Sequence, residues 1–164
     1  MKKGGVILCH LHDIFLDKFP EYRNDLLESW DYVLSVCAEK SLPTIALSFD
    51  NLPICPNISD KVNSIPGLLV SGGFFEDRDE EYFKEHNVYR AGIIGLHADA
   101  CVELNSNYAS FRGFEISTAE NCIDDRNSGR TSLKSHFDWK PHRGQKQWHF
   151  FDRAEDLMDH LSSP

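Results

Sequence analysis

Residues 91–102 read Ala-Gly-Ile-Ile-Gly-Leu-His-Ala-Asp-Ala-Cys-Val. The run from Tyr89 to Gly95 reads as a buried strand, apolar from Ala91 onward. A tight turn follows Gly95. A helix is then expected over 99–112, with Cys101, Leu104, Tyr108 and Phe111 on one stripe. Gly113 stands where a helix C-terminal cap belongs. A buried strand that feeds directly into a helix is half of a parallel β–α–β unit.

Outward from that unit, the same alternation repeats. Short strands are expected over 6–10, 44–49, 67–70, 114–118 and 148–151. Helices are expected over 21–40, 76–86 and 152–161. The second of these has acidic residues in its first turn, which suits the helix dipole. The last opens on Asp152-Arg-Ala-Glu155, which reads as a capping box. The prolines of 51–66 mark that stretch as mostly loop. Residues 124–147 are polar, locally basic and irregular, with Gly129, Pro141 and Gly144. They read as a divergent loop-rich segment of a single domain spanning 1–164. The expected fold class is α/β, a three-layer α/β/α arrangement around a mostly parallel sheet of five or six strands. In such a sheet ligands bind at the carboxyl ends of the strands. The places to look are therefore 10–15, 49–52, 71–75 and 95–101.

The chain has 164 residues, enough for one ordinary core. Its 17 basic against 26 acidic residues leave a net charge of −9, so nucleic-acid binding is not expected. No apolar run reaches the length of a membrane span. The lysines at the start precede too short an apolar run to read as a signal peptide. Five cysteines without paired spacing fit free thiols in a reducing compartment, which points to the cytoplasm.

Cys101 falls in the first turn of its helix. There the positive helix end stabilises a thiolate, and the same end can hold the oxyanion formed when that thiolate attacks a carbonyl. The plainer alternative is a buried structural thiol. Gly95-Leu-His-Ala-Asp-Ala-Cys-Val, followed by Ala109 and then by Gly113-Phe-Glu-Ile, resembles the nucleophile segment of the isochorismatase-like cysteine hydrolases. These include nicotinamidases, pyrazinamidases and related amidohydrolases. The order of elements agrees from about residue 4 to 121. The resemblance implies hydrolysis of an amide or related C–N bond through a thioester on Cys101, without a cofactor, in a homo-oligomer acting on a small molecule. It places the oxyanion donors at the backbone N–H groups of His97 and Cys101, with a cis peptide at Leu96–His97. It puts Phe15 on the Phe of the family's first motif, Asp50 at the end of the second strand, and Phe75 after the third.

The departures from the family pattern are specific. The family's triad is Asp-Lys-Cys. Aligning Phe15 sets His10 at the Asp position and His12 at the Gln position. No Lys occurs in Val70-Ser71-Gly72-Gly73-Phe74, where the triad Lys belongs. Leu52 replaces the metal-binding His that follows Asp50 in nicotinamidases. Two readings stay open. Either His10 serves as general base for Cys101, with His12, Phe15, Asp50 and Phe75 lining the substrate pocket, or catalysis is lost and the pocket only binds or serves an assembly. His10 and His12, two apart on a strand, also present a lesser metal alternative.

Overall fold

The computed structural model describes residues 3–16, 23–49, 52–124 and 148–163. Asp50 and the divergent loop-rich stretch, from residue 125 to 147, lie outside the described residues.

Among the described residues, seven strands form one all-parallel sheet: β1 (Lys3–Cys9), β2 (Thr44–Leu47), β3 (Leu69–Ser71), β4 (Val88–Leu96), β5 (Glu115–Ala119), a two-residue β6 (Ile123–Asp124) and β7 (Trp148–Phe151). The order is β3-β2-β1-β4-β5-β7, with β6 paired to the end of β4. The register runs Val6 to Thr44 on one side of β1 and Val6 to Gly92 on the other. The order reverses between β1 and β4, so the crevice where their carboxyl ends diverge is the place a ligand can enter.

Alternation along β1 divides the core in two. Val6 and Leu8 face α2 (Arg23–Lys40), α3 (Pro56–Ser64) and α6 (Ala154–Ser162), through Trp30, Ile58 and Leu157. Ile7 and Cys9 face α4 (Asp77–Glu85) and α5 (Glu103–Phe111), through Phe83 and Ala109. Both faces of the strand are thus dry, which is why its sequence shows no polar alternation. A four-residue turn, α1 (Asp13–Leu16), follows β1. Trp30, fully buried, donates its indole N–H to Cys122 O at 2.8 Å and so anchors the turn after β5 to α2.

Three expectations are corrected. The stretch expected to be loop contains α3: Pro56 sits in the first turn, where a missing N–H removes no helical bond, and Ile58 and Val62 are both buried. Asp152 does not begin a capping box; α6 starts at Ala154 with Arg153 at its cap and no side-chain cap bond. The Leu96–His97 peptide is trans, since no described bond is cis.

Candidate active site

The strand-to-helix turn is built by two unusual backbone positions. Gly95 has φ +145°, and a Cβ there would lie 2.0 Å from Cys9 O, so only glycine lets β4 pass β1 this closely. His97 adopts the left-handed region at φ 62° and ψ 60°. The helix then opens on a π turn over Ala98–Val102: the N–H groups of Ala100 and Val102 both donate to His97 O, at 3.0 and 3.1 Å. Such turns recur at functional sites. Cys101 lies in this turn and is half-buried, whereas the other four cysteines are buried.

Asn105, one helical turn beyond Cys101 and fully buried, ties the site together. Its Nδ2 donates to Cys101 O at 2.9 Å and to Cys9 Sγ at 3.4 Å, and its Oδ1 accepts the Phe75 N–H at 2.8 Å. One amide thereby joins the end of β1, the nucleophile turn and the loop after β3. Burial, reinforced by a thiolate at Cys101, pushes the Cys9 thiol far up, so Cys9 stays neutral beside it. Neither Asn105 nor Cys9 stands out in the sequence as functional. Asn105 leaves one trace there: a polar residue four positions after Cys101, in the register of its stripe.

His10 follows the last residue of β1 with φ 54° and is fully buried. Its Nε2 lies 2.7 Å from Gly73 O. A carbonyl only accepts, so Nε2 carries the proton and Nδ1 holds the lone pair. Among the described residues Nδ1 has no hydrogen-bond partner. The ring lies 4.2 Å from that of Phe49 and meets Phe74 edge-on at 6.4 Å. Burial holds the imidazole below its ordinary pKa, hence neutral.

His12 is committed differently. Phe49 N–H donates to its Nε2 at 3.3 Å, and its Nδ1 donates to Pro53 O at 3.1 Å. With both ring nitrogens engaged by backbone, His12 has no lone pair to share with His10 around an ion. Phe75 is 1% exposed and packs against Phe83 and Phe114, each at 5.9 Å between ring centres. The aromatic beside Cys101 is its neighbour Phe74, 39% exposed. Phe74, Ala100, Cys101, Glu103, Leu104 and Asn107 line an open groove of about 430 Å³. Phe15 falls in α1, and its side chain lies outside the described set, as does Asp50.

Cys55 lies at the start of α3 and donates its thiol to Asp13 Oδ1 at 3.2 Å. Arg23 pairs with the same oxygen. Cys55 is buried, and burial raises its pKa, so it serves as a neutral donor there.

No protein-family model matches the sequence, and no curated protein does. Solved structures do. The MAR1 ribonuclease of Caenorhabditis elegans superposes on 98% of this chain and 81% of its own, at TM-score 0.76 and 15% identity. The N-carbamoylsarcosine amidase of Thermoplasma acidophilum covers 94% of this chain and 98% of its own, at TM-score 0.72 and 15% identity. The chain has the isochorismatase-like hydrolase fold. The YcaC gene product of Escherichia coli, an octameric hydrolase of unknown specificity, shares the fold over 90% of this chain and 75% of its own, at TM-score 0.63 and 17% identity. No helix among the described residues is long and apolar enough to cross a membrane.

Proposed function

We propose that the protein is a divergent cysteine hydrolase that cleaves an amide or related C–N bond of a small molecule through a thioester on Cys101. The observation that carries this reading is the half-buried Cys101 in the first helical turn, opening onto a groove walled by Phe74 and Leu104. His10 takes the role of general base. The Gly73 carbonyl fixes its tautomer, and Nδ1 keeps the lone pair a base needs.

In this reading Nδ1, which makes no hydrogen bond to Cys101 in the resting structure, takes the Cys101 proton as Sγ attacks the carbonyl carbon. The oxyanion rests at the backbone N–H of Cys101; the His97 N–H was expected beside it with a cis Leu96–His97 peptide, and that peptide is trans. The imidazolium then gives its proton to the departing amine, leaving a thioester. Water, losing a proton to the same Nδ1, adds to the thioester carbon; collapse releases the acid, and the thiolate recovers the proton. No cofactor takes part. His12 supports the site by holding Phe49 beneath the His10 ring, and Phe75 by anchoring Phe74. The family resemblance assigns Phe15 and Asp50 to substrate binding as well. Glu103 at the rim disfavours anionic substrates, so a neutral amide with an apolar group fits best.

A base confined to one buried imidazole, without the Asp and Lys of the family triad, is a different machine from a nicotinamidase. The purified protein is expected not to turn over nicotinamide or pyrazinamide. A panel of neutral carboxamides, followed by ammonia release and by intact-mass detection of an acyl adduct, tests the reading. Cys101→Ala should abolish any turnover, and His10→Ala should lower it by about 10²–10⁴-fold. Turnover untouched by Cys101→Ala would sink the assignment. The second reading, a pocket that binds without reacting, gains support from the enclosure of His10 by Phe49 and Phe74. It predicts ligand binding with no adduct.

Two further assignments go with the hydrolase reading. Five free thiols suit the cytoplasm. Leu104, Tyr108 and Phe111 leave an apolar stripe on the open side of α5, exposed by 37, 38 and 64%, which suits self-association into a homo-oligomer.

A further inference from the structure

Glu115, His149 and His160 come from β5, β7 and α6, and their side chains converge at the end of the sheet away from Cys101. His149 Nε2 lies 3.0 Å from Glu115 Oε1, and His160 Nε2 lies 3.4 Å from the same oxygen. The two imidazole centres are 4.8 Å apart. All three ligand atoms lie within 4.8 Å of one another. Ligands of a tetrahedral zinc ion, at about 2.0–2.2 Å from the metal, sit roughly 3.4 Å from each other. Two of the three separations therefore already match a common centre, and the rings need only small rotations.

A second observation points the same way. Among the described residues, the buried His160 Nε2 makes no well-formed hydrogen bond; its contact is Glu115 Oε1, 3.4 Å away. A buried ring nitrogen left in this state is costly, and native structures rarely tolerate it without a reason. Beside a carboxylate and a second imidazole, a cation supplies the partner. Arg90, the neighbouring charge, stands opposite Glu115 in the β4–β5 register. It donates to the carbonyls of His160, at 2.6 Å, and Ser163, at 3.3 Å. These bonds hold the last turn of α6 in place beside the Glu115, His149 and His160 cluster.

We propose that Glu115, His149 and His160 form a binding site for a zinc-class divalent cation. Two imidazoles and one carboxylate suit the borderline metals and give calcium or magnesium too few oxygens. Three protein ligands leave a fourth position for water. The ion joins β5 to the β7–α6 unit that closes the chain, so its effect is to clamp that unit to the sheet. It takes no part in chemistry at Cys101.

The test uses the full chain freed of metal by chelation, titrated with ZnCl2 and, separately, with CoCl2. One equivalent of Zn2+ should bind and raise the melting temperature by roughly 5–10 °C at a hundredfold excess over its Kd. His149→Ala and His160→Ala should each weaken binding on the order of 100-fold or more. Cys101→Ser should leave it unchanged, which separates this site from the thiol. If the alanine variants fail to fold, the Co2+ spectrum of the unsubstituted protein decides. Four-coordinate ligand-field bands without a thiolate charge-transfer band support the site. No saturable Zn2+ uptake, uptake indifferent to both histidines, or a thiolate band on Co2+ would overturn it.

Discussion

Among the five thiols, the environments differ enough to predict reactivity. Burial drives Cys37 up to about 12 and Cys9 and Cys55 upward as well, while Cys101 is half-exposed at a helix start. Iodoacetamide at neutral pH, with peptide mapping, should label Cys101 well before Cys9, Cys37, Cys55 or Cys122 in the folded protein. Equal labelling of Cys101 and Cys37 would remove the basis for a nucleophile. The histidines give a second prediction at this scale. His10 and His12 are held below their ordinary value of 6.5, chiefly by burial. The unfolded chain protonates both near 6.5 and the folded chain resists, so the unfolded state binds more protons below that pH. Stability is then full above pH 6.5 and declines as pH falls from there. Urea denaturation at pH 7.5 and 5.5 should show the loss, and His12→Gln should reduce it. Sequence reading singles out Cys101 and His10 as candidates because each sits beside a glycine or strand end with a meaning of its own. It missed Cys9, since a thiol facing the site and a thiol facing the core are the same letter in an apolar run.

At the scale of elements, the strands were legible and their partners less so. Apolar runs such as 6–9 and 91–96 require cover on both faces, and the sheet supplies it with two separate cores. Helix α3 was hidden because proline was read as a breaker, when Pro56 starts the helix and Ile58 and Val62 face inward. The link between α5 and the loop after β3 was hidden too, because a side-chain bond to a distant N–H has no sequence period. That link gives the prediction for Asn105. Asn105→Ala leaves the Phe75 N–H buried without its acceptor and frees the Cys101 turn from Cys9. A loss of about 1–3 kcal/mol is expected in urea denaturation. Cys101 alkylation should change in the same variant, since the turn that carries it loses its tie. Asn105→Asp keeps the acceptor and should restore part of the stability. Unchanged stability in Asn105→Ala would mean that the amide is incidental.

On the scale of the whole molecule, the sheet is closed by its last helix, and one residue near the start of the chain permits it. Gly4 lies in β1, in the middle of the sheet, under the end of α6. A Cβ on Gly4 would stand 2.3 Å from Leu161 O and 2.8 Å from both Leu161 C and Cα, all backbone atoms that no rotamer change can move. This close approach lets α6 reach across from β5 and β7 to β1 and β4. Replacing a strand glycine by alanine normally stabilises, by about 0.4–1 kcal/mol, because the unfolded chain loses freedom. The sign should reverse here. Gly4→Ala forces α6 outward and is expected to destabilise by about 1–3 kcal/mol, the usual range for overpacking a filled core. For a chain of this size that lowers the melting temperature by roughly 2–4 °C per kcal/mol. Gly72→Ala is the internal control: nothing lies within 4 Å of a Cβ there, and it should be neutral or slightly stabilising. Melting curves of the two variants side by side test the packing. If Gly4→Ala melts at or above the unsubstituted protein, α6 does not lie against β1 in the way that organises this fold.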